Sequence, residues 1–234
     1  MNNIEKKVFE MYTAKCVGKN EVCAMCKKNN KDLSDPLGVW FVGDNYENEK
    51  IKLLFIGKNS RGLFEDCDKF DGTIVDATKI ARENLWNESW AYWSYTKEIS
   101  NLVFGDDTTN HIAITNMVKC NNTDDNDDTT DDMKQNCISK QGIIKNEIEI
   151  LKPTHIVFYT HTYYDMYIRD IFDQIENITS YNSKKSIGNV EMLWWNFKAT
   201  IGDNKIKVLR VSHPQYKNKE DFTKEIANWV KENG

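Results

Sequence analysis

Lys52-Leu53-Leu54-Phe55-Ile56-Gly57-Lys58-Asn59-Ser60-Arg61-Gly62 is the stretch that decides the fold. The apolar run from Ile51 to Ile56 is nearly continuous, as in a parallel strand covered on both faces. A polar turn bounded by Gly57 and Gly62 follows directly. In open α/β sheets ligands bind beyond the carboxyl ends of the strands. The turn is therefore the expected binding loop.

Working outward, three more runs have the same character: His111–Asn116, His155–Tyr159 and Ile206–Val211. Amphipathic segments separate them. Residues 3–14 carry Ile4, Val8, Phe9 and Tyr12 on one helical face. Residues 76–104 read as helical and strongly aromatic, mostly core rings between helix and sheet. Ile143, Ile144, Ile148 and Leu151 are helically spaced and stop before Pro153. Residues 163–177 predict a further helix, Val190–Ile201 a hairpin, and Phe222, Ile226, Trp229 and Val230 a last helix. Gly38–Gly43 suggests a peripheral strand. Strands alternating with helices predict an α/β fold, a three-layer α/β/α sandwich around a central, mainly parallel four-stranded sheet. Asn59, Asn116 and His213 then fall together at the strand ends, with Gly57 and Lys58 beside them.

The length of 234 residues fits a single domain, 1–234, with a cysteine-bearing N-terminal segment, residues 1–37, packed on it. No apolar run approaches the roughly 20 residues of a membrane span. The opening residues read as an amphipathic helix, not a signal peptide, so a cytoplasmic protein is expected. The net charge of −5 argues mildly against nucleic acid. Residues 179–219 run the other way, with eight Lys or Arg against Glu191 and Asp203. They form either a phosphate-holding patch or an ordinary solvated face. Thr123–Asp132 holds six aspartates but lacks the glycine and closing glutamate of a calcium loop. It reads as a solvated acidic loop. The six cysteines are expected to be metal ligands or buried thiols, and Cys23-Ala24-Met25-Cys26 is a ligand clamp that needs two more partners.

The order of these pieces resembles the family-four, iron–sulfur uracil-DNA glycosylases. Cys23/Cys26, the Gly57–Gly62 loop, Phe70-Asp71-Gly72, Thr115-Asn116-Met117-Val118-Lys119-Cys120, Cys137 and His213-Pro214 follow in that family's sequence, over about residues 16–220. The resemblance implies that Cys23, Cys26, Cys120 and Cys137 hold a structural [4Fe–4S] cluster. Zinc on four cysteines is the alternative. Cys16 and Cys67 are left over, and Cys16 could replace Cys23.

It also implies a monofunctional DNA glycosylase, which flips a uracil or modified pyrimidine out of DNA and hydrolyses its N-glycosidic bond. His213 would donate a hydrogen bond to the departing base. Asn116 would read the base edge with its amide, and Phe70 would stack on the ring. The loop departs from the family pattern, with Lys58 in place of Glu and Ser60 in place of Pro. Asn59 instead matches the Asn of the mismatch-specific glycosylases, where it positions the attacking water. Lys58 or Arg61 could bind phosphate or a group carried by the base. DNA is the expected partner, with no membrane and no obligate protein partner. Two other readings stay open. One is a glycosylase for a hypermodified cytosine of phage DNA, acting in antiviral defence. The other is a non-catalytic nucleic-acid-binding iron–sulfur protein.

Overall fold

The structure, a computed structural model, describes residues 1–30, 33–38, 41–60, 73–85, 89–105, 109–121 and 129–234. In chain order its main elements are α1 (Asn3–Ala14), α2 (Glu21–Asn29), β1 (Phe41–Val42), β2 (Leu53–Asn59), α3 (Ile74–Leu85) and α4 (Ala91–Phe104). Then come β3 (Ile112–Val118), α5 (Asp131–Lys134), α6 (Ile143–Leu151), β4 (His155–Phe158) and α7 (Asp165–Ile171). The last are β5 (Gln174–Asn177), β6 (Lys184–Ile187), β7 (Val190–Ile201), β8 (Asn204–Val211) and α8 (Lys219–Glu232).

The chain is a mixed α/β protein with a mostly parallel central sheet. The four strands read from the sequence lie side by side as β3-β2-β4-β8, all parallel. The four-stranded expectation is corrected. The described strands form an eight-stranded sheet, in which β1 adds antiparallel to β3, and β7, β5 and β6 extend the other side.

Both faces of the central strands are apolar because both are covered. In β2, Leu53 and Phe55 enter one core cluster, and Leu54 and Ile56 enter the other. β3 divides likewise, Ile112 and Ile114 against Ala113 and Met117, and β8 sends Leu209 and Val211 opposite to Ile206 and Val208. The cluster of Phe55 includes Trp93 and Ile99 of α4 and Phe222, Ile226 and Trp229 of α8. The cluster of Ile56 includes Val8 and Tyr12 of α1, Ile148 of α6 and Ile168 of α7. The N-terminal helix thus shares a core with the sheet.

Two elements differ from the sequence reading. Val190–Ile201 is one long strand, paired through most of its length with β8 and, near its start, with β6. The helix expected over 163–177 stops at Ile171, because Phe172 is extended. Asp173 accepts from the Gly202 N–H (2.8 Å) and pairs with Lys145 (2.7 Å). Those bonds hold the chain beside the β7–β8 turn, and residues 174–177 pair with β7. Strand pairing overrides the helical period there.

The surface charges also differ from expectation. Arg210 is fully buried, bidentate to Asp165 (2.8 and 2.6 Å), and is no part of a surface patch. Lys184, Lys185 and Lys198 pair with Glu191, Glu225 and Glu176. Of the acidic loop, Asp131 and Asp132 open α5, where the helix dipole favours them. Asp132 accepts from Asn30 Nδ2 (2.9 Å). Among the described residues no helix is long and apolar enough to cross a membrane.

His155 starts β4, at the sheet end opposite the strand exits. Its Nδ1 contacts Thr154 Oγ1 (2.9 Å) and its Nε2 the Asn233 carbonyl (3.0 Å). Burial lowers its pKa to about 4. The unfolded chain takes up this proton near pH 6.5 and the native state does not. Stability from His155 is therefore complete above pH 6.5 and is lost as pH falls from 6.5 towards 4. The loss expected is roughly 3 kcal/mol. Urea unfolding of the wild type and of H155Q between pH 7 and 4 checks this, and the variant is expected to show a shallower decline.

Candidate active site

β2 and β3 run parallel with Gly57 opposite Asn116 and Asn59 opposite Val118. The alternation that sends Phe55 towards α4 sends Gly57 and Asn59 the same way. Asn116 is 4 % exposed, and its amide Nδ2 donates to Ser60 Oγ (3.5 Å). A Cβ on Gly57 would lie 2.3 Å from Asn116 Oδ1 and 2.9 Å from Cε2 of Tyr92. Only a glycine lets these two side chains close over the strand.

Tyr92 is the hub that sequence reading missed. Projecting from α4, its Oη donates to the Thr115 carbonyl (3.3 Å). Its ring stacks on His213 at 6.2 Å between centroids, with 16° between planes. Burial raises its phenol pKa, and a backbone hydrogen bond from Gly57 opposes the shift, so it stays a neutral donor. Helical spacing marked Tyr92 as one ring among several, and only the orientation of α4 singles it out.

His213 follows the end of β8. The Gln215 N–H donates to its Nδ1 (3.2 Å). With Nδ1 as acceptor, the neutral ring carries its proton on Nε2, which makes that atom a donor. Pro214 and Gln215 thus set both the position and the tautomer of the imidazole. In Asn59, Nδ2 donates to Asn121 Oδ1 (2.6 Å), so Oδ1 is the acceptor face of that amide. Asn121 is a second residue the sequence reading omitted. It lies just past the described end of β3, and its N–H donates to Ser34 Oγ (2.8 Å).

Lys58 has the opposite parity on β2, and it sits with a different group. His161, at the exit of β4, feels Lys58, Arg210 and Lys217. Burial holds its imidazole below the usual range, and the three cations push the same way. Its N–H bonds the Val211 carbonyl (3.1 Å), tying the β4 and β8 exits together. Its backbone has φ 57° and ψ −171°, a region that in practice only glycine occupies without strain. Nothing in the local sequence signals it. Tyr216, at φ 65°, is the other residue near these exits with left-handed φ. Phe70, Arg61 and Gly62, and the leftover Cys67, lie outside the described residues.

The four expected ligand cysteines share a recess without clustering at a point. Cys23, Cys26, Cys120 and Cys137 all line one recess, whose empty space, mouth included, is about 440 Å³. α2 supplies the first pair, the exit of β3 the third, and the π-helical turn Gln135–Lys140 the fourth. Cys16 is exposed and not in the recess wall. The sulfurs have N–H donors: Gly18 N (3.1 Å) and Gln141 Nε2 (2.9 Å) to Cys23, and Asn30 Nδ2 (3.7 Å) to Cys26. Asn136 lines the same wall with its Nδ2 buried, and its side chain hydrogen-bonds the Cys26 thiol, opposing the rise that burial causes there. Burial raises Cys26, raises Cys120 well above the thiol range and raises Cys137 to about 12, and neighbouring thiols add to each shift. Four soft donors in one wall, with N–H groups bonded to the Cys23 and Cys26 sulfurs, are the donor type that a thiophilic cation takes. Among the described residues no three His, Cys, Asp or Glu side chains converge on a single-ion point; the thiols are spread around the recess.

No protein-family model matches this chain, and no curated protein matches it.

Two outcomes follow from the site geometry. G57A is expected to cost about 1–3 kcal/mol, because Asn116 and Tyr92 must both retreat from the new methyl; urea unfolding measures it. H161G is expected to raise stability by about 1 kcal/mol by relieving the strained backbone. The same unfolding assay reads that gain.

Proposed function

We propose that the chain is a monofunctional DNA glycosylase, acting on a uracil or modified pyrimidine flipped out of DNA. One observation carries the reading: the Asn116 amide and the His213 imidazole both lie against one partly buried ring, Tyr92, near the exits of parallel strands. The resemblance to the iron–sulfur uracil-DNA glycosylases supports the same assignment. In this proposal the helices on the two sheet faces make a three-layer α/β/α sandwich, with the site at one end.

Cleavage of the N-glycosidic bond leaves positive charge on the sugar and negative charge on the base. His213 Nε2–H would donate to the base as that charge develops, where a donor has its largest effect. Asn116 would hold the base edge through its Oδ1 and Nδ2. Asn59 Oδ1 would accept a hydrogen bond from the attacking water and aim its oxygen at the sugar carbon, the water's proton ending on the released base anion, with Asn59 Nδ2 held by Asn121. Phe70 would stack on the base. Gly57 would serve the substrate by letting Asn116 lie over the strand, and Lys58 would hold a phosphate or a group borne by the base. Cys23, Cys26, Cys120 and Cys137 would hold a [4Fe–4S] cluster, with zinc the alternative. The cluster would be structural and outside the chemistry.

The test is a panel of oligonucleotides carrying uracil, thymine mismatches, hypoxanthine or modified cytosines, read as alkali-labile abasic sites. Base release from one of the pyrimidines is expected, with N59A and H213A each slower by about 100-fold or more. Salt-sensitive DNA binding without release from any substrate would replace the enzyme by a binding protein. In parallel, protein purified without oxygen is expected to contain about four iron and four sulfide per chain. Stoichiometric zinc instead would overturn the cluster.

A further inference from the structure

We propose that Lys119 is a positioning residue that couples the cysteine recess to Asn116. Only the activity arm of this inference rests on the glycosylase reading. Lys119 is 1 % exposed, and its three ammonium protons have three acceptors. Nζ donates to the Asn116 carbonyl (2.6 Å) and to Thr115 Oγ1 (2.8 Å), and it pairs with Glu147 Oε1 (2.6 Å). Glu147 of α6 is fully buried and is itself fixed, accepting from Thr115 Oγ1 (2.8 Å) and from the Tyr12 hydroxyl. The ammonium is therefore clamped from α1, α6 and β3 at once, and it clamps the Asn116 carbonyl in turn.

The main chain of the same residue belongs to the recess. Lys119 lines its wall beside the four cysteines. Its N–H bonds the Cys137 sulfur. Its carbonyl accepts the Leu37 N–H (2.8 Å), and Cys120 is the next residue. One residue thus touches the sulfur cage through its backbone and the amide-bearing residue through its side chain. A buried ion pair is weak support for stability, since apolar residues of like volume often serve as well. What an apolar pair cannot do is hold the Asn116 carbonyl. Fixing that peptide plane fixes the direction of the Asn116 side chain over Gly57, and displacing Lys119 on loss of a recess-bound metal would release it.

The test uses the metal-loaded full chain purified without oxygen, and the same chain after chelation. K119M/E147L removes both charges together and leaves no unpaired buried carboxylate. T115V, which deletes only the bridging hydroxyl, is the second variant should the first not fold. The first readout is hydrogen exchange of the peptide spanning residues 112–121. In the wild type chelation is expected to accelerate exchange at Asn116 and Met117 by about 10-fold or more. In the double variant exchange is expected to be fast already and insensitive to chelation, and T115V is expected to lie between. The second readout is base release from whichever oligonucleotide the wild type accepts. A fall in kcat on the order of 100-fold is expected, with KM for the DNA nearly unchanged. Wild-type protein that carries no metal, exchange unaffected by chelation, or variants matching the wild type in exchange and kcat would each overturn the coupling. A wild type that binds metal and shows the exchange coupling but releases no base would retain the coupling and remove the glycosylase reading.

Discussion

The gap above Gly57 admits a hydrogen atom and nothing larger, and the arrangement of the site depends on it. The β2–β3 register places Asn116 across from that gap. Tyr92 descends from α4 into the same space. With both closed over the strand, the ring of Tyr92 is in place for His213 to stack on. Three elements distant in sequence are thus brought to one spot by the absence of a single methyl group. Glycine inside a strand weakens it, and here the close approach of neighbours accounts for its presence.

Two buried ion pairs flank this arrangement, and they differ in kind. Lys119–Glu147 is closed on all sides by hydroxyl and carbonyl partners. Arg210–Asp165 is bidentate, adds a bond to the Tyr181 carbonyl and stacks on Trp195, yet its Nη1 is buried without a partner. Each pair ties a strand to elements beyond it: β3 to α1 and α6, and β8 to α7 and the segment before β6. Removing one partner from either would leave an uncompensated charge in the interior, at several kcal/mol. The strand exits therefore have little freedom to shift independently.

Much of this was legible in the sequence, and the division is physical. Strands covered on both faces announce themselves by continuous apolar runs, so β2, β3, β4 and β8 could be read with Asn59, Asn116 and His213 at their ends. The four cysteines singled out by spacing and resemblance line one recess. Tyr92 was not singled out, because its role follows from the rotation of α4, which no local pattern states. His161 was missed because its strain is a property of backbone angles imposed by the β4–β8 connection. Arg210 was counted as surface charge because its partner, Asp165, lies 45 residues away. Residues 174–177 carried a helical period that pairing with β7 overrides.

The ends of the sheet carry a further consequence. The strand order runs from β1 to β5, and these outer strands have two and four residues. β5 is largely exposed and bears Gln174, Glu176 and Asn177, with Glu176 paired to Lys198 on its neighbour. β6, paired off the main path, begins with Lys184 and Lys185. An outer strand offers unpaired backbone that another chain can extend, and a short, charged strand such as β5 gives it little length to do so. Among the described residues, a sheet whose interior strands are almost wholly apolar is finished on the β5 side by a short, exposed, polar strand that gives another chain little to extend.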